Sequence, residues 1–307
     1  MNKVAIVGRG IIGSSWAVVF ARAGVPVSIW DRQDQGRERI LEPVAAILDG
    51  LSGTPLAGDA DTLTRISVDR DLAQSLDGAD YVQESVSEDL ALKRQILDAI
   101  EAKAQPTLVI GSSTSGLIPT TLAESMRHKE RFLVVHPLTP PHLIPVTEIV
   151  PSRFTSEAVI ARTEKLIGHV GQHPLRVQAE IGGFVLNRIL AAMVNELLHL
   201  IRDGVLRAED ADAALTQGFG LRWACMGPFA AMDLNAKGGI AEYLQRYGYI
   251  FRAVAEERGA KPPLDDAVIA ELARAMRAKF PLAEAKERAT QRDRAIAEVR
   301  RTRTRLS

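Results

Sequence analysis

The sequence predicts an α/β protein: a doubly wound, mainly parallel sheet in residues 1–181, then an all-helical domain in residues 182–307. Three observations carry that expectation. Residues 4–31 read as strand, glycine-rich turn, helix, strand and acid. The chain then keeps alternating strand-like and helix-like segments as far as residue 178. Beyond Gly182 the strand signals stop and apolar residues recur with a period near 3.6.

The first unit is the most informative. The apolar run from Val4 to Val7 enters Gly8-x-Gly10-x-x-Gly13. A helical pattern over residues 14–23 stops at Gly24, and a second apolar run over residues 25–30 ends on Asp31. This is the order in which a Rossmann-type unit binds a dinucleotide. Gly8 permits the tight turn, Gly10 lets the backbone approach a pyrophosphate, and Gly13 lets the helix pack close to the strand. The helix N-terminus, with Ile11 and Ile12 beside it, offers unpaired N–H groups and a positive dipole end to the phosphates. Asp31 would accept hydrogen bonds from ribose hydroxyls and repel a 2′-phosphate, which points to NAD rather than NADP. Arg32 is the neighbour that could hold that phosphate instead. A purely structural glycine turn leaves Asp31 unexplained.

The remaining elements follow in order. Residues 35–51 read as a helix, and residues 52–61, rich in Gly, Pro and Asp, as an exposed loop. Short strands are expected at 65–68 and 80–83. A helix over 88–103 carries Leu92, Ile96, Ala99 and Ile100 on one side. A strand at 107–110 runs into the segment 111–116 (GSSTSG), another at 132–135 ends at His136, a third at 146–150 carries Glu148, and a last one spans 175–178. Asp31, Ser113, Ser115 and His136 all fall at or just past strand ends, where sheets of this class bind ligands. In the second half, residues 184–202, 208–217, 229–247 and 265–280 read as helices, with Gly182 and Gly183 as the hinge. The charged tail from residue 283 reads as a solvated helix or frayed end. No internal repeat or low-complexity segment is present.

Composition narrows the function. Lys plus Arg and Asp plus Glu both number 38, so net charge gives no argument for nucleic acid or a membrane surface. Cys225 is the one cysteine, which rules out an intrachain disulfide and suits a reducing cytoplasm. The N-terminus enters a strand at once, without a signal peptide, and no apolar run is long enough for a bilayer. No metal is expected. Of the six histidines, His128, His142, His169, His173 and His199 read as surface or satisfied core residues. His136 differs: it ends a strand, precedes Pro137, and has Glu148 on the next strand. An imidazole held by a carboxylate suits removal of an alcohol proton during oxidation.

At these residues the chain resembles the 3-hydroxyacyl-CoA dehydrogenase superfamily, and more closely its lambda-crystallin / L-gulonate 3-dehydrogenase branch. The resemblance runs through residues 6–13 (IVGRGIIG), 83–90 (QESVSEDL), 112–115 (SSTS), His136-Pro137, Pro140-Pro141, 146–151 (VTEIVP), 183–188 (GFVLNR) and Gly227-Pro228. It implies an NAD-dependent dehydrogenase with His136 and Glu148 as the catalytic pair, Ser115 and Asn187 in the active site, and Asp31, Glu88, Lys93 and Ser113 at the cofactor. Each has a plainer alternative. Ser115 could cap a helix starting near Leu117, Asn187 could be a helix-start residue, Glu88 a first-turn acid, and Lys93 a solvated face residue. Two departures bear on the substrate. Ser113 and Thr139 stand where hydroxyacyl-CoA members usually carry asparagine, and the gulonate-like branch shares only the serine.

A coenzyme A substrate needs basic groups for its phosphates. In the long-chain members of the family the chain resembles, these come from a basic helical stretch after the second strand; here that stretch, residues 36–71, has Arg37, Arg39, Arg65 and Arg70 but no lysine, against Glu38, Glu42, Asp49, Asp59, Asp61, Asp69 and Asp71. It is a poor cradle for CoA. A small free 3-hydroxy acid, L-gulonate-like, fits better, with Arg222 reading its carboxylate; the similar branch also carries arginine there. The alternatives are the same chemistry on carnitine or a short 3-hydroxyacyl-CoA, and a non-catalytic crystallin-like protein. Helix 184–202, apolar on more than one face, predicts a homodimer.

Overall fold

A computed structural model of the chain describes residues 2–33, 39–224, 227–236 and 239–257, with scattered positions between 281 and 302. The helix expected at 265–280, Cys225 and most of the charged tail lie outside the described residues. The chain divides into two compact units, Met1–Arg188 and Ile189–Ser307.

The first unit is built on eight strands. They are β1 (Val4–Val7), β2 (Val27–Trp30), β3 (Ile66–Val68), β4 (Tyr81–Glu84), β5 (Val109–Ser112), β6 (Phe132–Pro137), β7 (Val146–Pro151) and β8 (His173–Arg176). They form one sheet in the order β3-β2-β1-β4-β5-β6-β7-β8. All neighbours pair in parallel except β6 and β7, which are antiparallel. The order reverses between β1 and β4, the place where a doubly wound sheet opens a crevice at its carboxyl edge.

Helices cover the faces: α1 (Ile11–Arg22), α2 (Leu41–Leu51), α3 (Leu72–Leu76), α4 (Leu90–Lys103), α5 (Pro119–Leu122) and α6 (Glu157–His169). Helix α1 lies deep, with residues from Gly13 to Ala21 buried; Trp16 stacks on Phe20 at 5.4 Å, and Phe20 meets Tyr81 at 6.0 Å. On the other face α3 and α4 cover β1, β4 and β5 through Leu72, Leu76, Ile96, Leu97 and Ile100. Helix α4 starts at Leu90, because Asp89 accepts the N–H of Leu92 at 2.7 Å and caps it there; Glu88 is left in the loop before it. Helix α6 carries no expectation from the sequence, yet Ser156 caps it and Ile160, Thr163, Leu166 and Ile167 are buried.

The second unit is helical. Helix α7 (Leu186–Arg202) begins in the last residues of the first unit and continues into the second. After it come α8 (Ala208–Ala213), a π-helical turn (Ala214–Phe219), α9 (Gly220–Trp223), α10 (Pro228–Leu234) and α11 (Gly239–Glu257). The single helix expected over 229–247 is two. Pro228 starts α10, which ends at Leu234, and Gly239, with φ of +70°, starts α11. Ile201, Ala208 and Ala211 make a small buried cluster, while Ile189, Leu190, Phe229 and Tyr249 are exposed.

Gly13 is the tightest contact in the turn. A Cβ there would lie 1.9 Å from the carbonyl oxygen of Gly8 and 3.3 Å from Ile6. Gly13→Ala is therefore expected to destabilise by at least about 1–3 kcal/mol despite the better helix propensity of alanine. Denaturant unfolding checks this; an unchanged midpoint would contradict the packing.

Candidate active site

Two groups of residues meet the carboxyl edge of the sheet. The first is a cleft of about 540 Å³ beside the turn of residues 8–12, walled also by Asp31, Arg32, Gln33, residues 85–87 and Leu92. Gly8 has φ of +109°, and a Cβ on it would come within 2.6 Å of the Ser85 carbonyl oxygen, so the turn is pressed against the chain leaving β4. Gly10 is the N-cap of α1 and offers no side chain to the helix N–H groups. A Cβ on Gly10 would meet nothing within 4 Å. Glycine is thus not required there by the protein's own packing; the space it leaves, against bare helix N–H groups, fits a pyrophosphate. The Asp31 carboxylate is pre-set by two backbone donors, Arg9 N–H at 3.1 Å and Gln33 N–H at 2.8 Å.

The second group surrounds His136. In the antiparallel register of β6 and β7, His136 faces Glu148, and its Nδ1 lies 2.7 Å from Glu148 Oε2. The other oxygen, Oε1, accepts the N–H groups of Val185 at 2.7 Å and Leu186 at 3.0 Å. Glu148 is fully buried and His136 nearly so. Burial pushes the Glu148 carboxyl up, but the hydrogen bonds from His136, Leu186 and Val185 outweigh it and hold the group below its usual range. An ionised carboxylate only accepts, so Nδ1 donates and Nε2 carries the lone pair. The Phe184 ring, at 5.5 Å from the imidazole, closes another side; its backbone φ is +51°.

Ser115 is gripped through its backbone. Its N–H donates to Glu88 Oε1 at 2.9 Å, and its carbonyl accepts from Asn187 Nδ2 at 2.7 Å. Glu88 Oε1 also takes the Thr114 hydroxyl and the Gly116 N–H. Lys93 is not the solvated face residue of its plainer reading. It is 1% exposed, bonds both oxygens of buried Glu84 at 2.9 and 3.1 Å, and lies 3.5 Å from Glu88. An ammonium so deep is held by its counter-ions. Ser113 bonds Gln83 Nε2 at 2.7 Å and Ser85 Oγ at 2.8 Å. The structure thus brings Ser115, Asn187 and Glu88 into one network, and His136 and Glu148 into another. Arg222 belongs to the second unit, where its guanidinium lies over the Phe219 ring at 5.6 Å.

Gln83, Glu84 and Thr114 were not singled out from the sequence. Two polar residues closing an otherwise apolar strand, Gln83 and Glu84, were the available signal. His142 is a satisfied core histidine, with Nδ1 at 2.7 Å from Ser15 Oγ.

The family model of the 3-hydroxyacyl-CoA dehydrogenase NAD-binding domain matches residues 3–181, and that of the C-terminal domain matches residues 183–279. The chain belongs to the 3-hydroxyacyl-CoA dehydrogenase family. Its cofactor is NAD, and it is an oxidoreductase of that family. Among curated relatives, lambda-crystallin of Oryctolagus cuniculus is 35% identical over 285 residues, 91% of this chain and 89% of that one. The L-carnitine dehydrogenase of Oceanobacillus iheyensis is 35% identical over 251 residues, 81% of each chain. Among solved structures, a 5-formyl-3-hydroxy-2-methylpyridine 4-carboxylic acid 5-dehydrogenase, described as an NAD+-dependent dismutase, superposes with a TM-score of 0.86 at 25% identity, covering 99% of both chains. Among the described residues, no helix could cross a membrane and no group of three or more His, Cys, Asp or Glu could hold a metal ion.

The buried network makes a prediction for this 3-hydroxyacyl-CoA dehydrogenase family member. Lys93→Met leaves Glu84 charged and unpaired, an expected loss of about 3–5 kcal/mol. The double variant with Glu84→Gln should recover much of it. Equal stabilities of wild type and Lys93→Met in denaturant would contradict the pairing.

Proposed function

We propose that the protein oxidises the 3-hydroxyl of a small free hydroxy acid, L-gulonate-like, to the 3-keto acid, with His136 as general base. The observation that carries this reading is the His136–Glu148 pair, a nearly buried imidazole whose Nδ1 is committed to a carboxylate. Nε2 is then the atom that takes the hydroxyl proton, and Glu148 stabilises the imidazolium that forms. NAD, when bound, accepts the hydride from the carbinol carbon. Ser115 and Asn187 hold the substrate oxygen. One amide hydrogen of Asn187 fixes the Ser115 carbonyl, and the second serves the substrate. On the cofactor side, residues 8–13 with Asp31 and Arg32 take the dinucleotide, Ser113 and Glu88 flank its nicotinamide end, and Lys93 supports Glu88 from below.

The acid substrate rests on sequence chemistry. The stretch 36–71 is too acidic for coenzyme A, and Arg222 offers a planar fork that matches a carboxylate in two hydrogen bonds. A second reading, L-carnitine, is favoured by the relative of that activity. Carnitine is itself a 3-hydroxy acid, so Arg222 would serve it equally, and its trimethylammonium would call for aromatic neighbours. A crystallin-like structural role leaves Ser115, His136, Glu148 and Asn187 without a reason to occur together. A second copy of the chain is expected to cover the apolar side of the helical unit, giving a homodimer.

The test is NADH formation at alkaline pH with L-gulonate, L-carnitine and a short 3-hydroxyacyl-CoA. Turnover of an acid is expected, with His136→Ala losing about 10²–10⁴-fold in kcat. Arg222→Met should lower kcat/KM on the acid by about 2–4 kcal/mol, mostly through KM. Preference for the thioester would overturn the substrate class, and near-normal turnover by the His136 variant would overturn the base.

A further inference from the structure

We infer that Arg9 is a second determinant of cofactor choice, tempering the discrimination of Asp31 so that the cleft also takes NADP(H), more weakly than NAD(H). The inference rests on dinucleotide binding in this cleft and is independent of the substrate and of His136.

Arg9 occupies the position between Gly8 and Gly10, where the course of the backbone is fixed. Gly8 is pressed on Ser85, and the Arg9 N–H donates to Asp31 Oδ2 at 3.1 Å. The Arg9 side chain therefore starts beside the Asp31 carboxylate, and its Nε lies 4.0 Å from Oδ1. Both side chains are partly exposed, 23% for Arg9 and 15% for Asp31, on the wall of the same cleft. Arg32 lines that wall too. A lone acid at the end of β2 favours two ribose hydroxyls and repels a phosphate on the 2′-oxygen. Here the acid has the Arg9 guanidinium beside it, and Arg32 lines the same wall. Arginine is also the side chain best suited to a phosphate, presenting several N–H groups in one plane. Asp31 can still meet the ribose, because the backbone N–H groups of residues 9 and 33 orient its carboxylate whatever side chain stands at position 9. The preference for NAD is thus retained but narrowed.

Binding separates this from catalysis. NADH and NADPH are titrated separately by nicotinamide fluorescence into wild type, Arg9→Ser, Arg9→Lys, Asp31→Ser and the Asp31→Ser/Arg9→Ser double variant. Wild type should bind both, NADPH about 10–100-fold more weakly. Arg9→Ser should weaken NADPH about tenfold more than it weakens NADH, with Arg9→Lys between. Asp31→Ser should narrow the gap, and adding Arg9→Ser should undo most of that gain. Added salt should weaken NADPH more than NADH in wild type. An Arg9→Ser variant that shifts both cofactors by the same factor, or a wild type that takes NADH but no NADPH, overturns the role of Arg9. Failure to bind NADH at all would overturn the dinucleotide reading beneath it.

Discussion

The Glu148 carboxylate, wholly removed from solvent, accepts three donors from two places: the imidazole of His136 on β6 and the backbone N–H groups of Val185 and Leu186 where α7 begins. Burying a charge without such partners would be prohibitive, and with them the carboxyl stays ionised. Much else follows from that one constraint. It fixes which imidazole nitrogen holds the proton, it ties the antiparallel strand β7 to the end of the parallel run, and it locates the first turn of α7. Asn187, one residue beyond Leu186, is thereby carried to the carbonyl of Ser115 at 2.7 Å.

The same logic runs along the other edge of the site, with backbone groups in place of the imidazole. Glu88 gathers the Thr114 hydroxyl and the N–H groups of Ser115 and Gly116 on one oxygen. Lys93 stands between Glu88 and Glu84, and Glu84 also receives the Ser112 hydroxyl at 2.5 Å. The serine-rich segment after β5 is thus held from beneath by a chain of alternating charges. Such a network is strained by the loss of any one member, since each removal strands a buried partner. It fixes the backbone of residues 114–116 at the carboxyl end of β5.

Much of this was legible in the sequence, for physical reasons that differ by element. The glycine turn could be read because two of its glycines, Gly8 and Gly13, answer a steric demand of the chain itself, while Gly10 leaves open space beside the N-terminus of α1. The sheet order and the reversal of β7 could not, because apolar runs carry no pairing information. His136 and Glu148 were proposed as partners from strand ends and family resemblance, and the β6–β7 register sets them opposite one another. The solvated reading of Lys93 fails because position 93 falls on the buried stripe of α4, three, four and seven residues before Ile96, Leu97 and Ile100, and Glu84 on β4 makes burial of its charge tolerable. A single helix over 229–247 passes over the segment 235–239 (NAKGG), whose two consecutive glycines and lack of an apolar run are the break signal, and α11 starts at Gly239 with φ of +70°.

The most direct measurement is the tautomer of His136 by ¹⁵N NMR of the imidazole, at a pH where the ring is neutral, in wild type and in Glu148→Gln. The carboxylate of wild type forces Nδ1 to donate, so Nε2 should show the shift of an unprotonated nitrogen. In Glu148→Gln the amide oxygen can keep the Val185 and Leu186 donors, and its nitrogen then faces Nδ1, so the proton should move to Nε2. A protonated Nε2 in wild type, or the same tautomer in both proteins, would contradict the assignment of Glu148 as the group that makes His136 a base.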